Sequence, residues 1–288
     1  MIVVTGATGK LGTLVLEGLL GKVPASELAA VVRSPAKAAG LAARGVQIRQ
    51  ADYGDPEALA SAFRPGEKVL LISSNEIGQR AVQHAAVLDA ARRAGVGLLV
   101  YTSLLRADTS PMLLAGEHKT TEEAISASGL PYIILRNGWY IENYTDQLPG
   151  ILARGTIAGA AGRARYAAAT RRDYADAAVA VLTSPWSTNA TYELAGDRAF
   201  TLEELAAEVS RQSGKTVNYV DLPPDEYKKV LLGAGLPEPI AVFFVDFDIA
   251  AAKGALDTDR GDLRQLIKRP TTPLSEAVAE ALGRLQQG

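Results

Sequence analysis

Three apolar residues, Ile2-Val3-Val4, run directly into Thr5-Gly6-Ala7-Thr8-Gly9-Lys10-Leu11-Gly12, and a helical stretch opens at Lys10. A chain that passes from strand to helix through glycines at these three places has few folds open to it. Gly6 permits a tight turn, Gly9 lets backbone approach a pyrophosphate, and Gly12 lets the helix pack on the strand. The helix start then turns unpaired N–H groups and the positive end of its dipole toward a phosphate. Ala7, Thr8, Lys10 and Leu11 complete this candidate cradle. A kinase-type phosphate loop does not fit, because Leu11 stands where its metal-binding Ser or Thr belongs and Val4 where its first Gly belongs.

Three glycines alone are a weak signal, and the context strengthens it. Apolar runs recur at Leu28–Arg33, Val46–Ala51, Lys68–Ser73, Gly97–Thr102 and Pro131–Arg136, apolar nearly throughout, as strands buried on both faces of a parallel sheet are. Between them the patterning predicts helices over Lys10–Lys22, Pro35–Arg44, Pro56–Phe63, Gly78–Ala94 and Glu117–Ser128. Asp55-Pro56 and Ser34-Pro35 read as helix starts, while Gly45, Gly95 and Gly129 read as stops. The fold class expected is α/β, a Rossmann-type doubly wound parallel sheet with right-handed crossovers and a smaller C-terminal α/β lobe.

The later chain is looser. Gly150–Ala169 is rich in glycine and alanine, Arg172–Leu182 reads as a helix and Ala190–Leu194 as a strand. Thr201 precedes a helix over Leu202–Ser213, with Glu204 in the capping-box position. Val217–Leu222 is strand-like, and Asp225–Leu256 looks helical with a break at Gly235–Pro239. The expected division is a dinucleotide-binding domain over 1–150 and a substrate lobe over 151–288, with one or two later strands returning to the sheet.

The end of the second strand bears on which dinucleotide binds. An NAD site usually carries an acid there, for the adenine-ribose hydroxyls. Here Arg33 is followed by Ser34 and Lys37, and a guanidinium pairs with a 2′-phosphate that a carboxylate would repel. NADPH is therefore expected over NADH; the alternative is a solvated arginine at a strand end. Asp52 and Tyr53 are placed at the adenine. Ser73, Ser74 and Asn75 are placed beside the pyrophosphate and nicotinamide ribose, since ligands gather at strand C-termini near the switch point. Thr102, at the end of the fifth strand, falls on the same edge. Asn137, Gly138, Trp139 and Tyr140 follow the sixth strand and face the nicotinamide, with Tyr140 able to stack on an aromatic substrate; the competing reading is an aromatic seal between lobes. Thr170 and Arg171 are expected to close over the cofactor from the second lobe.

Composition removes other chemistries. The chain has no cysteine and two histidines, which excludes disulfides, thiolate metal sites, cysteine nucleophiles and multi-histidine metal centres. Thirty basic residues against 32 acidic ones leave no field for nucleic acid or an anionic membrane. No signal-like start or membrane-spanning run is read, and a soluble cytoplasmic protein is expected. None of the ten tyrosines has Lys four positions on, so the Tyr-x-x-x-Lys pair of ordinary short-chain dehydrogenases is missing, and no Gly-x-Ser-x-Gly elbow occurs. The candidate proton donor is His118, the alternative being a polar residue near a helix start facing water. His84 reads as a surface or core-edge histidine, and Phe243, Phe244 and Phe247 as core rather than substrate wall.

Thr5–Gly12, Val32–Lys37, Gln50–Tyr53, Tyr101-Thr102-Ser103 and Leu135–Tyr140 together resemble the NmrA-like group of atypical short-chain dehydrogenases, and within it the bacterial NAD(P)H:quinone oxidoreductase 2 proteins, close to the triphenylmethane reductases. The likeness runs through Tyr192–Asp197 to Pro270–Leu274, and Arg136–Tyr140 with Glu142-Asn143 is its most discriminating part. In the isoflavone reductase relatives a catalytic Lys occupies what corresponds to His118, so a Lys-dependent proton relay is not carried over. The resemblance implies a reductase that moves hydride from NADPH to a quinone or similar conjugated or aromatic acceptor. A triarylmethane dye or aryl ether reductase and a non-catalytic redox sensor stand as alternatives. Small-molecule acceptors are the expected partners, nucleic acid and membrane are not, and a homodimer is left open.

Overall fold

The computed structural model describes residues 1–185 and 189–287. The strands are β1 (Ile2–Val4), β2 (Leu28–Val32), β3 (Gln47–Gln50), β4 (Lys68–Leu71), β5 (Leu98–Leu104), β6 (Tyr132–Asn137), β7 (Thr156–Gly159), β8 (Ala190–Leu194) and β9 (Asn218–Asp221). Seven of them make one parallel sheet in the order β3-β2-β1-β4-β5-β6-β8, as a doubly wound fold requires. The order reverses between β1 and β4, so the crevice above their C-terminal ends is the natural ligand site.

The helices are α1 (Lys10–Leu20), α2 (Ala39–Ala43), α3 (Pro56–Ala60), α4 (Arg80–Ala94), α5 (Leu113–Ala127), α6 (Glu142–Thr145), α7 (Leu148–Arg154), α8 (Arg171–Thr183), α9 (Leu202–Ser213), α10 (Pro224–Gly233), α11 (Glu238–Ala252), α12 (Asp262–Ile267) and α13 (Leu274–Gln287). Alternate strand residues feed two cores. Val4, Ala30, Leu70 and Val100 join Leu16 of α1 and Ala178 of α8. Val3, Val31, Leu71 and Leu99 join Leu59 of α3 and Val87 of α4. The period of two in a parallel strand thus places one apolar row under each helical layer. Among the described residues no helix is long and apolar enough to cross a membrane.

Several local signals act as the sequence predicts. The Asp55 side chain accepts from the Glu57 and Ala58 amides at the start of α3. Thr201 and Glu204 form both halves of a capping box at α9. Gly95 ends α4 in the left-handed conformation, φ 68°.

Other expectations need correction. Ser34 makes no capping hydrogen bond, and the helix expected over Pro35–Arg44 is a 3-10 turn, Pro35–Ala38, followed by the short α2. α5 begins at Leu113 rather than near Glu117. Its first amide is capped from outside the segment, Leu113 N donating to Asp246 Oδ2 at 2.9 Å, an oxygen supplied by α11. The expected return of a later strand is met, among the described residues, by β8 alone, whereas β9 pairs in parallel with β7, which forms inside the glycine-rich stretch. This small sheet and α9, α11 and α13 surround a third core that includes Ile157, Val209, Phe247 and Val278. α8 lies back on α1, so close that a Cβ on Gly18 would stand 2.9 Å from Val179.

Candidate functional site

The glycine turn is bound to the sheet before any ligand enters. Thr5 is fully buried; its amide and its hydroxyl both reach Leu70 O at 3.0 Å, and the Ile72 amide donates to its Oγ1 at 3.2 Å. The Tyr53 hydroxyl contacts Thr5 Oγ1 and donates to Ile72 O at 2.9 Å, so Tyr53 joins the ends of β1 and β4 from below. Gly6 sits at φ +57°, and a Cβ on Gly12 would lie 2.4 Å from Gly6 O. Gly12 is thus the position where close packing forbids a side chain. No side chain caps α1, and its first turn has no acidic residue. Its leading N–H groups therefore face a cleft of about 380 Å³.

Gly6, Thr8, Gly9, Lys10, Leu11, Arg33, Lys37, Asp52, Tyr53, Ser73, Ser74 and Asn75 all line that cleft. Ala7 does not: its side chain is buried and its amide points to Val31 O at 3.5 Å. Thr102 is also behind the wall, its Oγ1 accepting from the Ser73 amide at 2.9 Å. Its place is to hold the loop that follows β4.

That loop reveals what the sequence reading missed. His84 is 1% exposed, not a surface residue, and the Ser74 amide donates to its Nε2 at 3.0 Å. Its proton therefore belongs on Nδ1, which meets Thr121 Oγ1 at 3.1 Å. Burial, then the nearby Arg80 charge, pushes the imidazole down to about 3, so it stays neutral. Arg80 Nε donates to Ser74 O at 2.8 Å and Gln83 Nε2 to Glu76 Oε2 at 2.8 Å. Three side chains from the start of α4 thus fix the cleft wall. Gln83 Oε1 is buried there without a hydrogen-bond partner among the described residues.

Arg33 projects from the end of β2, its side chain 66% exposed, with Nη1 at 3.1 Å from Glu76 and Nε at 3.9 Å from Asp52. Exposed pairs of this kind are weak, on the order of 0–1 kcal/mol, so the guanidinium can exchange them for a phosphate. Neither carboxylate partner was legible as such, because Glu76 reaches Arg33 only through the tertiary fold.

The residues after β6 divide between structure and site. A Cβ on Gly138 would come within 2.9 Å of the Tyr174 hydroxyl. Asn137 Nδ2 faces the Tyr140 hydroxyl at 3.4 Å, while Asn137 Oδ1 and Trp139 Nε1 are buried without partners among the described residues. The Arg171 guanidinium lies 5.3 Å from the Tyr140 ring centre. Arg171 also binds Asp146 at 3.0 Å, and Lys10 reaches the same carboxylate at 2.7 Å, tying the glycine turn to the segment around α6. The Thr170 hydroxyl is engaged with Asp173 as the N-cap of α8. Of the residues expected at the cofactor, Asn137, Gly138, Trp139, Tyr140, Thr170 and Arg171 all stand off the cleft wall.

Trp139 opens on a second space, a cavity of about 850 Å³ with Tyr144, Tyr227, Phe244 and Phe247 on its walls and Asp248 among them. Trp139 stacks on Phe247, ring centres 3.4 Å apart. Of the phenylalanines expected in the core, Phe247 is both core and cavity wall, and Phe244 is wall. A separate open groove of about 860 Å³, beside α9 and β9, shares no lining residue with either space.

His118 lies on neither wall. It is 4% exposed, contrary to a solvent-facing position, and its Nδ1 pairs with the Tyr101 hydroxyl at 2.7 Å. Burial, reinforced by the Arg80 charge and His84, holds it well below the usual histidine range, which disfavours the imidazolium form that a proton donor would need. Ser103 of β5 donates to Glu122, which is bound to the buried Arg136. For the reductase activity expected from the sequence, His118→Ala should keep single-turnover NADPH oxidation by benzoquinone within about tenfold of the parent, about 1.36 kcal/mol of barrier. Its melting temperature should fall, because the Tyr101 hydroxyl loses a buried partner at about 1–3 kcal/mol. Stopped-flow absorbance and thermal melts separate the two effects.

Residues 6–185 match the family model described as NAD(P)H-binding. Quinone oxidoreductase 2 of Escherichia coli strain K12 is 52% identical over 279 residues, 97% of this chain and 98% of that protein. The crystal structure of the NADPH-dependent quinone oxidoreductase from Escherichia coli complexed with NADPH superposes with a TM-score of 0.95 at 51% identity, covering 98% of this chain and all of that one. The Citrobacter triphenylmethane reductase complexed with NADP(H) gives a TM-score of 0.94 at 40% identity, over 98% of this chain and 100% of its own.

Proposed function

This chain belongs to the NAD(P)H-binding family, and from that premise we propose that it is an NADPH-dependent reductase of quinones or similar conjugated acceptors. The observation that carries the proposal is a pair of spaces joined by one ion pair: a glycine-turn cleft with Arg33 and Lys37 on its wall, and an aromatic cavity large enough for a flat acceptor, with Lys10 of the cleft bound to Asp146 between the cavity residues Tyr144 and Gln147. The similarity to quinone oxidoreductase 2 supports the same reading.

The residues fit the cofactor. The uncapped N–H groups of α1 suit its pyrophosphate, Arg33 and Lys37 its 2′-phosphate, and the unpartnered Gln83 Oε1 a donor on the ligand. NADPH, when bound, supplies the hydride. The protein's part is to hold the two reactants together, which can lower a barrier by about 7–11 kcal/mol when the geometry is close to attack. Lys10 and Arg171, both on Asp146, clamp the segment between cleft and cavity. Trp139 stacked on Phe247 gives the acceptor a flat aromatic wall. Our division of labour assigns the cofactor to residues 1–150 and the acceptor chiefly to 151–288, with Trp139 and Tyr144 contributed from the first part.

Steady NADPH oxidation with benzoquinone is the direct test, since a sensor would bind NADPH and consume none. The cavity is tested by Ala158→Phe, on the half-buried wall formed by β7. We expect the acceptor KM to rise at least about tenfold, because one filled contact site removes roughly 1–3 kcal/mol of acceptor binding, while NADPH affinity is unchanged. An unaltered acceptor KM would place the acceptor elsewhere.

A further inference from the structure

Asp248 is the one carboxylate on the wall of the aromatic cavity, and it is 5% exposed. Its Oδ2 accepts from the Ala160 amide at 2.7 Å, and the Tyr166 hydroxyl stands 3.5 Å from its Oδ1. Among the described residues no Lys, Arg or His pairs with it. Its oxygen satisfies the Ala160 amide, which an uncharged side chain would also do, whereas burying a carboxylate without a cation is costly and is relieved by taking up a proton. The fold nevertheless holds it in a fixed orientation at the cavity. The polar groups around it are Tyr166 and the Ala160 amide, Tyr219 and Asp221 from β9, Tyr144 from α6 and Tyr227 from α10; Arg154 of α7 lines the same cavity without an ion pair to Asp248.

We propose that Asp248 is the general acid of the reductase, donating a proton to the oxygen of an acceptor bound in the cavity. The inference rests on the cavity being the acceptor site. A quinone that takes a hydride gains two electrons and one hydrogen, leaving one oxygen as an oxyanion. The O–H bond of the Asp248 carboxyl breaks as an O–H bond forms on that oxygen, and the product leaves as the neutral hydroquinone. Water at the cavity mouth returns a proton to the carboxylate. Burial, outweighing the hydrogen bonds from Ala160 and Tyr166 and added to by the charge of Asp221, pushes the carboxyl up to about 6. A phenolic oxyanion, with a conjugate-acid pKa of about 10, is the stronger base, so the transfer runs downhill. This acid stands in for the absent Tyr-x-x-x-Lys pair and for the neutral His118.

Two variants test it. Asp248→Asn preserves shape and the oxygen that Ala160 needs. In the parent, the single-turnover rate at saturating acceptor should fall as pH rises through about 6, because the donor is the protonated form. Asp248→Asn should be flat across that range and at least about tenfold slower at pH 5.5, the lower end expected for general acid catalysis, with NADPH affinity retained. Tyr166→Phe removes a bond that favours the ionised form. It should move the break in the profile to higher pH while leaving the low-pH rate in place, which a merely structural role would not do. An unchanged rate and profile in Asp248→Asn, or an unmoved break in Tyr166→Phe, overturns the proposal. If Ala158→Phe still raises the acceptor KM in that case, the cavity keeps its role and solvent supplies the proton.

Discussion

Gly9→Val should abolish measurable NADPH binding at concentrations that saturate the parent, raising Kd by at least about 100-fold, or about 2.7 kcal/mol. A Cβ at Gly9 would meet Gly6 O at 3.2 Å, a contact that a small shift relieves, so the fold should survive. The two added methyl groups instead occupy the space in front of the uncapped start of α1, where a phosphate would sit. Gly12 makes the contrast. There a Cβ would be 2.4 Å from Gly6 O and 2.8 Å from Ala7 Cα, so even Gly12→Ala should damage folding itself. Fluorescence titration with NADPH, beside thermal melts of both variants, checks the separation. Retained affinity in Gly9→Val would remove the glycine turn from the cofactor site.

Arg33→Ala should weaken NADPH by about 1.5–3 kcal/mol, the range for hydrogen bonds to charged groups, and leave NADH nearly untouched. In ratio terms this is roughly 10–150-fold. The structure adds a reason to expect a sharp effect. Glu76 and Asp52 stand beside the guanidinium, at 3.1 and 3.9 Å, and without Arg33 both acids would face the 2′-phosphate. Glu76→Gln should then shift selectivity the other way, toward NADPH, by removing one like charge. Measuring kcat/KM for both cofactors in each variant decides the matter. Equal losses for NADPH and NADH in Arg33→Ala would show that it does not read the phosphate.

What the amino-acid sequence determined by itself was everything set by neighbours along the chain. The turn from β1 into α1, the Asp55 and Thr201 caps and the β-branched runs buried on both faces all depend on contacts within a few residues. From these follow the doubly wound sheet, the edge that carries the glycine-turn cleft and the arginine at the end of β2. Resemblance carried the reading from there to a quinone reductase. The tertiary structure alone decided the rest. His84 and His118 look alike in sequence, each in a mixed helical stretch, yet the first holds the loop after β4 and the second is sealed against Tyr101. α5 begins a turn early because Asp246 caps it from α11. Glu76 finds Arg33, Asp146 joins Lys10 to Arg171, and Asp248 reaches the cavity beside Trp139 and Tyr144, all across long stretches of chain. Local sequence carries local torsional preference and burial period, whereas a side chain's charge partner, its solvation and hence its proton affinity depend on which distant segments pack around it.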